Sequence, residues 1–159
     1  MNLEEVQMTI SRNRKILNDI VDKLIEKYFA DLDAVIKEVK ELMEEEGELT
    51  GEDLNYYISY IPMVMYYAGN SLEDLGAGGD VAENLRKELY NTKYLNSTRK
   101  TVAEKTSDAQ QEVINEVIYE NAYRRAYKKA KLKLDYADSI LNSLKKNLSW
   151  ELKEYEHLN

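Results

Sequence analysis

The sequence predicts an all-α protein, a bundle of long helices that contains a helical hairpin. Its 159 residues include only six glycines and one proline, too few for the many tight turns of a sheet-rich fold. Charged residues make up 33% of the chain, and apolar residues recur at steps of three and four along most of it. A chain of this length suits one core, so we expect residues 1–159 to form a single helical domain.

Residues 1–47 are expected to form an acidic, amphipathic N-terminal helix. Its apolar positions have the spacing of one helix face: Val6, Ile10, Leu17, Ile20, Val21, Leu24, Ile25, Tyr28, Leu32, Val35, Ile36, Val39, Leu42 and Met43. Gly47 is the expected C-terminal cap, because glycine readily adopts the left-handed backbone conformation that ends many helices.

Residues 50–69 are expected to form a second helix. Thr50 followed by Asp53 resembles a capping box, which marks the start of a helix. Pro62 lacks the backbone N–H that a helix interior uses, so it is expected to kink this helix or divide it in two.

Residues 70–80 are expected to form a glycine-rich hinge. Ser71 and Asp74 have the spacing of a cap on a short helix, and the cluster at residues 76–79 is expected to end that helix in a turn. Asp80 is then the expected cap of the next helix.

Residues 81–159 are expected to form a helical hairpin. Its first helix ends near Asn96, and its last helix, about fifty residues or roughly 75 Å long, ends near Leu158. Two capping-type pairs mark the start of the last helix: Thr101 with Glu104, and Ser107 with Gln110.

The inward stripe of the last helix is the predicted protein interface. It comprises small and aliphatic residues at steps of three, four or seven: Ala122, Ala126, Ala130, Ala137, Leu141, Leu144 and Leu148. Such a stripe suits packing within the hairpin, a coiled-coil-like oligomer, or both. We expect the chain to form a homo-oligomer through this long C-terminal helix.

Charge is distributed unevenly along the chain. The formal net charge is −8, and residues 1–60 alone contain 15 acidic and 7 basic side chains. Residues 121–146 contain eight basic and two acidic side chains. An acidic protein is not expected to bind duplex DNA indiscriminately. A local basic strip can still contact phosphates, because salt screens the repulsion from the acidic part of the chain beyond roughly 8 to 10 Å.

The residues present argue against an enzyme. The chain has no cysteine, and its single histidine, His157, is near the C-terminus and flanked by glutamates, which makes a poor general base or metal ligand. The glycine cluster lacks the Lys-Ser/Thr ending of a phosphate-binding loop. We therefore expect no catalytic residue, no metal and no cofactor. Neither a secretory signal nor a membrane span is visible, so a cytoplasmic protein without membrane contact is expected.

One segment of the last helix has a composition that suits single-stranded nucleic acid. Aromatic and basic side chains lie on neighbouring helical ladders: Tyr119, Tyr123, Arg124, Arg125, Tyr127, Lys128, Lys129, Lys131 and Lys133. Bases stack on tyrosine, and Lys and Arg neutralise phosphates. The structural alternative is that the tyrosines complete a helix interface and the basic residues pair with acidic helices.

Residues 85–152 resemble a group of small helical bacteriophage proteins similar to the T-even type recombination mediator. The segments that carry the resemblance are residues 99–105, 126–133 and 137–146. The resemblance implies a ring-like homo-oligomer that binds single-stranded DNA, with Lys and Arg of residues 124–133 as DNA contacts. It also implies a recombinase and a single-strand-binding protein as protein partners, in the host cytoplasm.

Two other functions remain open from the sequence. The first is an acidic inhibitor of phage type, whose residues 1–53 present carboxylates to a basic host protein and mimic nucleic acid. The second is a structural or assembly protein that uses its long last helix to oligomerise.

Overall fold

A computed structural model describes residues 2–46 and 49–158, with the side chains of residues 45, 46 and 154–158 outside the description. It contains four helices: α1 (Leu3–Glu46), α2 (Gly51–Asn96), α3 (Val102–Glu112) and α4 (Ile114–Leu158). The structure is 94% helical, and the described residues form no strand. The predicted all-α class is confirmed.

Helix α1 begins with a cap, and its side chains become buried from Val21 onwards. The Glu5 N–H donates to the Asn2 side chain at 2.8 Å, and the Asn2 N–H donates to the Glu5 carboxylate at 2.9 Å. No described residue of α1 before Val21 is buried. The buried positions then recur with heptad-like spacing: Val21, Ile25, Phe29, Leu32, Val35 and Val39. The cap predicted at Gly47 lies outside the described residues.

Helix α2 is continuous, so the turn predicted at residues 76–79, within the expected hinge over residues 70–80, is not formed. The cap predicted at its start is confirmed: the Thr50 hydroxyl accepts from the Asp53 N–H at 3.2 Å, and the Thr50 N–H donates to the Asp53 carboxylate at 3.1 Å. Pro62 lies inside the helix without dividing it.

Tertiary packing explains why the glycine cluster stays helical. A Cβ on Gly78 would lie 2.3 Å from Cε1 of Tyr123, so the absence of a side chain makes room for that ring. Glycine in a helix interior costs about 1 kcal/mol relative to alanine, and packing of the tyrosine offsets this cost. Ser71, predicted as a cap, is instead buried, and its hydroxyl donates to the Ala68 carbonyl at 2.6 Å. Asp80 is likewise inside α2.

The predicted last helix is interrupted once, at Val113. Helix α3 starts with the predicted capping box, in which the Thr101 hydroxyl accepts from the Glu104 N–H at 3.2 Å. Ser107, also predicted as a cap, lies inside α3 and caps nothing. Val113 is buried and non-helical, and α4 continues from the next residue.

The chain folds into two compact units, and α1, α2 and α4 each contribute to both. Unit 1 contains residues 1–24 and 73–128. In unit 1 the later half of α2 runs antiparallel to the start of α4, as a hairpin requires. The contacts that show this are Gly78 with Tyr123, Arg86 with Glu120 at 2.6 Å, and Lys93 with Glu112 at 3.1 Å.

Unit 2 contains residues 25–72 and 129–159. Its core is made of large apolar side chains from three helices, among them Phe29, Leu54, Ile61 and Leu144. Tyr57 is buried beside this core. Burial, followed by a hydrogen bond with Glu38 and the negative charge nearby, raises the pKa of Tyr57 to about 12.

The alanine and leucine stripe of α4 is packed within the chain. Ala122, Ala126, Ala130 and Ala137 have no exposed surface, and Leu141 and Leu144 are also buried. Leu148 is half-buried. The predicted interface residues are therefore core positions, because the neighbouring helices of the same chain already cover them. This is the packing within the hairpin that the sequence offered as one alternative, and oligomerisation through the C-terminal helix stays a prediction.

Candidate nucleic-acid interface

The basic strip of α4, defined as residues 119–133, forms one uninterrupted helical segment as predicted. Between Asn121 and Leu134 it contains six basic side chains and no acidic one. The alanines of this segment face the core, so the charged side chains are directed outwards. The strip therefore carries a local excess of basic side chains in a chain whose formal net charge is −8.

The three tyrosines of the strip differ in their availability. Tyr119 is 52% exposed. Tyr123 is half-buried, and its ring occupies the space left by the missing side chain of Gly78. Tyr127 is also half-buried, with ring atom Cε2 3.9 Å from where a Cβ on Gly76 would lie. Stacking of bases on the whole ladder is therefore not supported, and only Tyr119 presents most of its ring.

Arg124 is part of an ion-pair network in unit 1. Its guanidinium lies 2.8 Å from the Glu83 carboxylate and 3.0 Å from that of Glu120. Lys87 and, second, Arg124 lower the pKa of the Glu83 carboxyl. Arg124 therefore already has carboxylate partners, and a phosphate would have to compete with them.

The remaining basic residues fall into two groups. In unit 2 Lys133 pairs with Asp33, and Lys129 and Lys131 also take part in interactions within the chain. In unit 1 Arg125 and Lys128 are exposed and form no ion pair with any described residue. These two side chains are the best-placed cations for an external anion.

Elsewhere the described residues offer little chemistry. No group of three or more His, Asp or Glu side chains among them is arranged to hold a metal ion. An open cleft of about 460 Å³ near the α2–α3 connection contains the ion pairs Arg99–Asp108 and Lys93–Glu112, whose charges are mutually satisfied. None of the helices in the described ranges has the length and apolar character needed to cross a membrane. His157 has its side chain outside the description.

One exposed surface was not predicted from the sequence. Tyr56, Met63, Tyr66 and Tyr67 are each about half or more exposed on α2. A signal was present in the sequence, because residues 54–72 contain no charged side chain at all. An uncharged, tyrosine-rich outer face distinguishes this part of α2 from an ordinary solvated helix.

Comparison with known proteins gave no match that bears on this candidate interface. The resemblance of residues 85–152 to phage recombination mediators therefore stays a prediction. No protein family, curated protein or solved structure matches the chain.

Proposed function

We propose that the chain acts by binding, as a single-stranded-DNA accessory protein of the recombination-mediator type. The observation that carries the proposal is the pair Arg125 and Lys128, two exposed cations that pair with no carboxylate among the described residues and lie in a helical segment without acidic side chains. In such a role the protein would also contact a recombinase or another protein that acts on the same strand.

Electrostatic attraction to phosphates would supply most of the affinity. Each phosphate that a cation neutralises on a single strand contributes about −0.7 to the slope of log K against log salt concentration. Stacking would add little, since Tyr119 alone has most of its ring free. A flexible strand can follow a short cationic surface, whereas a stiff duplex brings more phosphates near the acidic remainder of the molecule.

The test is fluorescence anisotropy of a labelled oligonucleotide titrated at several salt concentrations, with a duplex of the same sequence as comparison. Arg125→Ala/Lys128→Ala should weaken binding to the single strand and reduce the salt slope by about 1.4. The matched control is Lys37→Ala/Lys40→Ala, which removes two exposed lysines from α1 and changes the net charge equally.

Two outcomes would reject the proposal. The first is no binding to the single strand at low salt. The second is an equal loss of binding in both double variants, since this would reflect total charge and not the two cations of the strip.

A second candidate is the acidic inhibitor, in which residues 1–53 bind a basic protein. It is favoured by the acidic excess of these residues and by the exposure of Glu41 and Glu44, which pair with the neighbouring Lys37 and Lys40 of α1. Such surface pairs contribute little and are easily exchanged for an external partner. A tight complex with a basic protein, with no binding to DNA, would favour this function.

A further inference from the structure

Helix α2 presents an uncharged surface, here called the tyrosine face: Tyr56, Ser59, Met63, Tyr66, Tyr67 and Asn70. All six side chains are exposed, and Tyr66 and Tyr67 are 66% and 68% exposed. The opposite side of the same segment is buried at Leu54, Tyr57 and Ile61. A helix face in water normally carries charge, but residues 54–72 carry none in a chain that is one-third charged.

The aromatic rings of the tyrosine face are ordered by one another. Tyr56 stacks on Tyr60 with ring centroids 5.4 Å apart, and Tyr66 meets Tyr67 edge-on at 5.7 Å. In the described part of the chain, the hydroxyls of Tyr56, Tyr66 and Tyr67 form no hydrogen bond. Tyrosine and methionine without charged neighbours are the composition of protein-interface centres, and tyrosine loses little side-chain entropy on contact.

Helix α4 presents a second surface in unit 2, here called the tryptophan face. It follows helical spacing along one side: Leu132, Tyr136, Ser139, Ser143, Lys146 and Trp150. Leu132 is 69% exposed and Trp150, the only tryptophan, is 72% exposed. Lys146 is exposed and pairs with no described carboxylate. Large apolar side chains left in water beside a free cation indicate a contact surface.

The two faces are complementary in charge and comparable in length. Glu52 lies one helical turn before Tyr56, so acid flanks the start of the tyrosine face. The tryptophan face supplies Lys146, which can pair with such a carboxylate or lie over the face of a tyrosine ring. At 1.5 Å per residue, the tyrosine face from Tyr56 to Asn70 spans about 21 Å of helix and the tryptophan face from Leu132 to Trp150 about 27 Å.

We propose that the tyrosine face of one copy docks on the tryptophan face of a second copy. The partner is a second copy because the chain itself exposes the apolar and basic surface that the tyrosine face requires. If both faces of one copy contact the same neighbour, the assembly is a two-fold dimer; if they contact different neighbours, the contact is head-to-tail. Repetition of the contact gives a closed ring if the rotation closes and an open chain if it does not.

This self-association is independent of the proposed DNA binding. It uses none of the nine side chains predicted to contact nucleic acid, and it does not require the alanine stripe of α4, which is buried. Leu132 lies within the basic strip, one turn after Lys128, so DNA binding is compared in the tyrosine-face variant Tyr66→Glu/Tyr67→Glu, which leaves the strip unchanged. Loss of assembly with DNA binding intact in that variant, or loss of DNA binding with assembly intact in Arg125→Ala/Lys128→Ala, tells the two proposals apart.

The experiment measures molar mass by light scattering and the emission of Trp150, both as a function of protein concentration. The wild-type chain should exceed the monomer mass of 18.6 kDa. Its tryptophan emission should shift to shorter wavelength as concentration rises, because the only indole leaves water when the face is covered.

Two double variants test the faces separately. Tyr66→Glu/Tyr67→Glu and Leu132→Glu/Tyr136→Glu should each reduce the mass to that of the monomer and abolish the emission shift. Both alter exposed positions, so circular dichroism should show unchanged helicity. Mixed in equal amounts, the two variants should form a one-to-one pair, because each retains the face that the other has lost.

The matched control is Leu95→Glu/Val102→Glu, which places the same charge on other exposed apolar positions and should assemble like the wild type. A monomeric wild-type chain at every accessible concentration would overturn the proposal. So would face variants that keep the wild-type mass, a control that dissociates with them, or a mixture that stays monomeric.

Discussion

Gly78 and Gly69 lie in the same helix, but a methyl group would meet different surroundings at each. At Gly78 it would lie 2.3 to 2.9 Å from three ring atoms of Tyr123, whereas at Gly69 nothing lies within 4 Å. We expect Gly78→Ala to lower the free energy of unfolding by about 1 to 2 kcal/mol, because overpacking exceeds the gain in helix propensity. Gly69→Ala should raise it by up to about 1 kcal/mol.

Urea unfolding of both variants measures this difference. Each substitution makes the same chemical change in α2, so the gain in helix propensity cancels when the two variants are compared. The difference in their free energies of unfolding then reports the contact with Tyr123. Equal stability of the two alanine variants would show that the tyrosine ring moves aside without cost, and the explanation given for the helical glycine cluster would fail.

Tyr57 should make stability depend on alkaline pH. Its pKa is raised from 10.0 to about 12 in the folded chain, so above pH 10 the unfolded chain loses the phenol proton while the folded chain keeps it. Unfolding then releases a proton, and the stabilisation, complete below pH 10, is lost as the pH rises towards 12. We expect the titration of Tyr57 to lower the free energy of unfolding by about 1 kcal/mol between about pH 9 and about pH 11.

Tyr57→Phe provides the comparison, since other tyrosines and lysines also titrate in this range. The variant should be less stable at neutral pH by about 1 kcal/mol, because it lacks the hydrogen bond with Glu38. Its stability should fall less steeply with pH than that of the wild type. Parallel curves for the two proteins would contradict the assigned pKa.

At the scale of elements, the caps Thr50 and Thr101 are the clearest local sequence signals for the start of a helix. In the capping box of α3, Thr101→Ala leaves the Glu104 N–H without its acceptor and should cost about 1 kcal/mol of unfolding free energy. Ser107→Ala changes a residue with the same sequence signature that lies inside α3, so a change within about 0.5 kcal/mol is expected. Chemical denaturation of both would test this, and similar losses would mean that the cap contributes nothing specific.

The helices and the starts marked by Thr50 and Thr101 could be predicted from the sequence, but the continuity of α2 and the break at Val113 could not. Thr50 and Thr101 follow non-helical chain, so their hydroxyls are free to accept from the next turn. Asp80 has the same local pattern, but the helix continues through it, and the neighbouring Gly78 and Gly79 lie against Tyr123. That contact joins residues 45 positions apart, and no local pattern contains it.

At the scale of the whole molecule, the basic strip shows what sequence can and cannot indicate about a site. Its position on one helix followed directly from spacing, as did the burial of Ala122, Ala126 and Ala130. The spacing could not predict which cations have carboxylate partners, because Glu83 and Asp33 come from distant segments of the chain. Of the nine residues predicted to contact nucleic acid, only a few are therefore available to an external anion, and Arg125 and Lys128 are the best placed.

The division into two units has a consequence for any dissection of the protein. Because each unit draws on two separate stretches of the chain, no single cut separates unit 1 from unit 2. Cleavage after residue 72, for example, would leave parts of both units in each product. Proteolysis or insertion at any point between residues 25 and 128 thus interrupts both units at once.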